Sequence, residues 1–200
     1  MKRACLLLCA LLLTACSRSE PSPLAGCPGL DAGSPVDPIL LAFLSRARAA
    51  HHLADAREGA GDLSGTAAPL ERLVEGPLPR ENGAELGPEV REVLADTFAR
   101  LADLHSRQGA FERALRDVQA GLAHASEPNY FRGHLLETEG LVEERHAKAL
   151  EMSDPTAASA IRKRAIELLE QAMTVQSGVI ERAPRASVSA GTPTPAASSR

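Results

Sequence analysis

The stretch that decides the fold is FARLADLHSRQGAFERALRDVQAGL, residues 98–122. Its first half places apolar and small residues on one helical face: Phe98, Leu101, Ala102 and His105. Gly109 interrupts this pattern, and a second stripe follows at spacings of three and four: Phe111, Ala114, Val118 and Leu122. The stretch therefore predicts a helix, a tight turn at Gly109 and a second helix that approaches the first closely.

This pattern resembles one tetratricopeptide repeat, and part of it recurs earlier in the chain. The following residues have the same mutual spacings as Leu101, Ala102, Gly109, Phe111, Val118, Gly121 and Leu122: Leu53, Ala54, Gly61, Leu63, Leu70, Leu73 and Val74. The two glycines of the copies lie 48 residues apart, whereas a plain repeat has a period of about 34 residues. The resemblance therefore implies a short, irregular α-solenoid.

Helix start signals and breakers divide residues 37–178 into three helical hairpins, about six helices. Asp37-Pro38, Pro88, Asn129 and Asp154-Pro155 begin helices, and residues 76–87 form a loop. We expect the last helix to end at Gly178 and to carry this apolar stripe: Ile161, Ala165, Leu168, Leu169, Ala172 and Met173. The fold class is therefore all-α, TPR-like, and an unrelated helical bundle is the alternative.

Small residues recur every seven positions on the helix that follows Asn129: Gly133, Gly140 and Ala147. This strip would let a neighbouring helix come close. The alternative is that the two glycines only weaken their helix, by about 1 kcal/mol each relative to alanine.

The amino terminus, residues 1–15, is typical of a secretory signal. A short basic start precedes roughly a dozen apolar residues, too few to span a bilayer. Leu13-Thr14-Ala15-Cys16 resembles a lipobox, which implies that Cys16 receives lipid and becomes the first residue of the mature protein. Ser17 after the cysteine favours the outer membrane. An ordinary signal peptide with an incidental cysteine is the alternative.

The segments that flank the helical body lack apolar periodicity. Residues 16–36 combine the lipidated cysteine with a flexible linker rich in Ser, Pro, Gly and Ala, and residues 179–200 are expected to be a disordered tail. After removal of the signal and acylation of Cys16, Cys27 is the remaining thiol, which is idle or pairs with another molecule.

The composition limits both core and partners. Hydrophobic residues make up 44% of the chain but aromatic residues only 2%, so the core is built from Leu, Ala and Val. The formal net charge is −4 and no dense basic run occurs, which argues against a nucleic-acid partner.

Motifs for catalysis are weak in this sequence. Glu143 and His146 have the spacing found in carboxylate-bridged di-iron sites, but no other histidine has a glutamate three residues before it. A solvated charged helix face is the simpler interpretation. Phosphate-binding, dinucleotide-binding and zinc patterns are missing from the sequence. We expect a protein that is not an enzyme and uses no cofactor or metal.

The resemblance to tetratricopeptide repeats also implies a concave groove lined by the first helix of each hairpin. The matching positions in this chain are Arg48, His51, Asp55 and Glu58 in the first hairpin, and Asp96, Ala99, Asp103 and Ser106 in the second. Such a groove is more acidic than basic and would attract a Lys- or Arg-containing segment. The alternative is that these charges only solvate an outer face.

Together these features predict a lipid-anchored protein–protein interaction scaffold or assembly adaptor of the bacterial envelope. We expect it at the outer membrane, facing the periplasm, with another envelope protein or a peptide segment as its partner. The alternative is a structural or carrier lipoprotein that holds a small apolar ligand between its helices.

Overall fold

The regular structure of the residues described below is helical. The computed structural model describes residues 37–80, 83 and 85–189. Over these residues the helices are α1 (Pro38–Gly59), α2 (Leu63–Thr66), α3 (Ala68–Val74), α4 (Pro88–Arg107), α5 (Phe111–His124), α6 (Tyr130–Leu150) and α7 (Pro155–Ser189). The predicted all-α class is confirmed. The signal, Cys16, the linker, Cys27 and residues 190–200 lie outside the described residues.

The helices form three antiparallel hairpins in chain order. α1 packs against α2 and α3, α4 against α5, and α6 against α7. The hairpins also pack on one another, because α4 contacts α1 and α6, α3 contacts α4, and α5 contacts α6. Each internal hairpin boundary therefore joins the second helix of one hairpin to the first helix of the next.

The turns of the first two hairpins have the same backbone geometry. Gly61 and Gly109 both have φ +78°, a conformation that glycine adopts without steric cost. In each turn the glycine N–H donates to the carbonyl three residues back, and the next N–H donates to the carbonyl five residues back. This is a Schellman arrangement, so the repeated glycine of the sequence marks a repeated turn.

Side-chain caps begin the helices where the sequence places them. The carboxylate of Asp37 accepts from the N–H of Ile39, Asn129 accepts from the N–H of Arg132, and Asp154 accepts from the N–H of Ala157. Each cap satisfies a backbone donor that has no partner within its own helix.

The second helix of the first hairpin is interrupted. The four-residue turn α2 is capped by Asp62, whose carboxylate accepts from the N–H of Gly65. α3 starts after one intervening residue, Ala67, and has Pro69 in its first turn. Proline fits a first turn because it lacks the N–H that would have no partner there.

Small residues allow α7 to lie close to α6. A Cβ at Gly140 would lie 2.8 Å from Cγ of Leu169 and 3.2 Å from the carbonyl oxygen of Ala165. A Cβ at Gly133 would lie 2.9 Å from Cγ of Gln176. The strip of Gly133, Gly140 and Ala147 is therefore a packing surface. The predicted close approach of a neighbouring helix is confirmed, and the glycines do more than weaken their own helix.

Two predictions for the last helix are wrong. α7 passes through Gly178 and continues to Ser189, so the tail predicted from residue 179 is helical over its first residues. Gly178 is not among the described glycines with positive φ, and its carbonyl accepts from Nε of Arg182. Met173 is 67% exposed, because Ala165, Leu168 and Ala172 form the face that packs on α6.

Candidate functional site

The largest group of predicted site residues meets in an open groove between α1, α4 and α6, which we call the central groove. It encloses about 310 Å³. Its lining comprises His51, Asp55, Asp96, Ala99, Arg100, Asp103, His134, Thr138 and Leu141. The first helices of all three hairpins thus contribute, as the tetratricopeptide resemblance implies.

Helical spacing places these residues on one side of each helix. His51 and Asp55 are one turn apart on α1, and residues 96, 99, 100 and 103 cover two turns of α4. The sequence analysis missed the residues of α6, because the third hairpin has no glycine turn to set its register. The spacing of residues 134, 138 and 141 could have identified them, because it repeats the spacing of residues 96, 100 and 103 on α4.

Three predicted groove residues lie outside the lining. Arg48 is exposed on α1. Glu58 forms ion pairs with Arg100 and Arg107, and the Arg107 hydrogen bond is the main reason that the pKa of Glu58 is lowered. Ser106 is buried, donates to the carbonyl of Asp103 at 2.8 Å and accepts from Arg145 Nη1 at 2.8 Å. Glu58 and Ser106 thus connect helices to one another, and none of the three side chains lines the groove.

The acidity of the central groove is partly neutralised within the chain. The carboxylate of Asp55 lies 3.3 Å from Nη2 of Arg100, and Asp103 lies 2.8 Å from Nη2 of Arg145. Two of the three carboxylates in the lining therefore have arginine partners, so the excess of acidic groups predicted for the groove is partly balanced.

Asp96 differs from the other two groove aspartates. Its side chain is half-buried, and among the described residues it has no ion pair or hydrogen bond. The next residue, Thr97, faces α1, where Nε2 of His51 lies 3.1 Å from its Oγ1. The Thr97 hydroxyl in turn donates to the carbonyl of Val93. The carboxylate of Asp96 is thus the groove charge that remains available to a bound cation.

The second cluster singled out in the sequence lies between α6 and α7. Glu143 and the neighbouring Glu139 are buried and accept from the guanidinium of Arg164 at 3.2 and 2.9 Å. Hydrogen bonding to Glu139 raises the pKa of Arg164. Nδ1 of His146 lies 3.8 Å from Glu143 and has no hydrogen bond, while its ring stacks on Phe111 at 4.6 Å. Within the described chain, no three His, Cys, Asp or Glu residues are close enough to hold a metal ion.

The fold and the central groove define an all-α protein of stacked helical hairpins with an open polar groove. Comparison with protein-family models, with curated proteins and with solved structures found no match to the chain. Over residues 37–80, 83 and 85–189, no helix has both the length and the apolar content to cross a bilayer.

Proposed function

We propose that the protein is a lipid-anchored scaffold that binds a cationic segment of another envelope protein in its central groove. The anchor is the lipid on Cys16, and the helical body faces the periplasm from the outer membrane. It acts by binding and carries out no reaction. The observation that carries this proposal is the half-buried carboxylate of Asp96, which lacks a partner among the described residues.

A Lys ammonium or Arg guanidinium of the partner supplies the positive charge and the hydrogen-bond donors that Asp96 lacks. Hydrogen bonds in which both partners are charged are roughly twice as strong as neutral ones. Ala99 is a small residue on the next turn of α4 and leaves room beside the carboxylate. Thr138 and Leu141 face the groove from α6, where they can contact the methylene groups of a Lys or Arg stem.

The size of the groove limits the occupant. About 310 Å³ is at the lower end of the range for small-molecule pockets, about 300–1,000 Å³. The groove is also open and lined by charged and polar side chains. It fits one or two side chains of an extended segment better than a whole apolar ligand.

Site-specific photocrosslinking in intact cells tests the scaffold role. A photoreactive residue in place of Leu141 is expected to yield discrete protein adducts, because Leu141 lines the groove. The matched control carries the same photoreactive residue at Glu144, an exposed α6 position outside the lining. Asp96→Asn is expected to lower the yield from position 141. Equal adducts from both positions, or no effect of Asp96→Asn, would contradict the proposal.

The anchor is tested separately. Cys16→Ser should abolish incorporation of radiolabelled palmitate and release the chain from the membrane fraction. Retention of label in Cys16→Ser would overturn the anchor while leaving the groove proposal standing.

The carrier alternative has one observation in its favour. An apolar depression of about 280 Å³ lies near the start of α1, lined by Ile39, Ala42, Phe43, Arg46, Pro77, Leu78 and Pro79. Mass spectrometry of the purified full chain under non-denaturing conditions distinguishes the two roles. A co-purifying lipid that is lost in Ile39→Asp would favour the carrier.

A further inference from the structure

An exposed apolar stripe runs along α7. Ile166, Met173 and Ile180 are 53%, 67% and 70% exposed. They are spaced seven residues apart, so they share one face of the helix over about 21 Å. Single exposed apolar residues are ordinary, but three in register on one face are typical of a helix that contacts a partner.

The stripe is distinct from the face that holds α7 in the fold. Ala165 and Ala172 are buried and directly precede Ile166 and Met173. Successive residues of a helix point about 100° apart. α7 packs on α6, and it is the last helix of the described stack, whereas α3 and α5 each also contact the first helix of the next hairpin. The stripe therefore lies on a side of α7 that no described helix covers.

The sequence along the stripe is symmetric. Isoleucine stands seven residues before and seven residues after Met173. A second copy of the same helix, placed antiparallel with the two-fold axis at Met173, brings Ile166 of each copy opposite Ile180 of the other. The apolar contact is then complete on both sides, as a self-complementary two-fold interface requires.

The charges beside the stripe fix the direction of pairing. Lys163 and Glu181 lie ten residues before and eight residues after Met173. At about 100° per residue, both fall on the same flank, about 80° from Met173. In an antiparallel pair, Lys163 of one copy meets Glu181 of the other. In a parallel two-fold pair, this flank of the two helices lies on opposite sides of the contact, so Lys163 and Glu181 would not meet.

We propose that the protein forms a weak antiparallel homodimer through the α7 stripe, with Met173 on the two-fold axis. One helix face of this length covers less than the roughly 800 Å² per partner of a standard interface. The dimer therefore dissociates on dilution. A shallow depression beside the stripe leaves room for the second helix; it is lined by Glu170, Met173, Thr174, Ser177, Gly178 and Glu181. A Cβ at Gly178 would meet no atom within 4 Å.

Disulfide trapping at the symmetry axis tests the proposal. In the full chain with Cys27→Ser, Met173→Cys places two thiols next to each other in the dimer. Oxidation should yield a species of twice the monomer mass, whose linked peptide contains residue 173 from both copies. The matched control is Met152→Cys, since Met152 is 95% exposed and lies at the α6–α7 turn. Equal dimer yields from the two positions would overturn the proposal.

A charge exchange tests the orientation and also distinguishes a different partner. Lys163→Glu alone sets like charges opposite each other and should lower the trapped yield severalfold. The double variant Lys163→Glu with Glu181→Lys restores opposite charges and should recover it. Failure of the double variant to recover, or an adduct that contains another protein in place of a second copy, would overturn the proposal.

Discussion

Nη2 of Arg145 lies 2.8 Å from the carboxylate of Asp103, which connects α6 to α4 beside the central groove. Nη1 of the same guanidinium donates to the hydroxyl of Ser106. Asp103 is therefore occupied within the chain, while Asp96, two turns earlier on α4, has no partner among the described residues. This difference between two aspartates of one groove decides the first prediction.

Asp96→Asn should weaken binding of a short oligolysine peptide more than Asp103→Asn does. A partly exposed ion pair contributes about 0.4–1 kcal/mol, so a 2- to 5-fold rise in Kd is expected for Asp96→Asn. Asp103→Asn should change Kd by less, since its charge is balanced by Arg145. Titration calorimetry at low ionic strength measures both. The reverse order of the two effects would contradict the assignment of Asp96 as the binding carboxylate.

Arg164→Met should destabilise the protein by about 1–3 kcal/mol. The change leaves Glu139 and Glu143, 3% and 6% exposed, without their shared cation. Arg162→Met is the matched control, because Arg162 pairs with Glu151 where both side chains are about half exposed. That control should cost less than about 0.5 kcal/mol. Urea unfolding measures both values, and adding Glu139→Gln to Arg164→Met should recover part of the loss.

Gly140→Ala and Gly178→Ala should have opposite signs. The new methyl at position 140 meets Leu169 Cγ at 2.8 Å, so α6 and α7 must separate, at a cost of about 1–3 kcal/mol. The same substitution at position 178 enters open space within a helix and should stabilise by about 0.5–1 kcal/mol. Thermal unfolding of the two variants provides the comparison. Stabilisation by both substitutions would show that the close contact at Gly140 is not tight.

Acidification should destabilise the protein through His124. Burial lowers the pKa of its imidazole, with a smaller contribution from the Arg91 guanidinium. Below the ordinary histidine pKa of about 6.5, the unfolded chain binds a proton that the folded chain does not. The free energy of unfolding therefore decreases as the pH is lowered through this range. His124→Phe keeps a ring to stack on Phe98 and removes this contribution. Unfolding free energies at pH 7.5 and 5.5 should differ less in the variant than in the parent chain.

The sequence determined the local structure. Helix starts at Asp37, Asn129 and Asp154, and the turns at Gly61 and Gly109, were predicted because caps and glycine turns depend on hydrogen bonds within a few residues. The small residues spaced seven apart on α6 likewise predicted a close contact with a neighbouring helix. The groove positions on α1 and α4 followed from helical spacing, once the repeat had set their register.

The tertiary structure decided which charges meet and which faces remain uncovered. The sequence placed His105 on an apolar face, but only the packing of α3 and α5 brings its ring nitrogens within 3.4 Å of Glu71 and 2.5 Å of Asp117. Three other features have the same origin: the pairing of Asp103 with Arg145, the exposure of Met173 and the continuation of α7 through Gly178. Each depends on how whole helices stack, and residues far apart in the chain set that stacking.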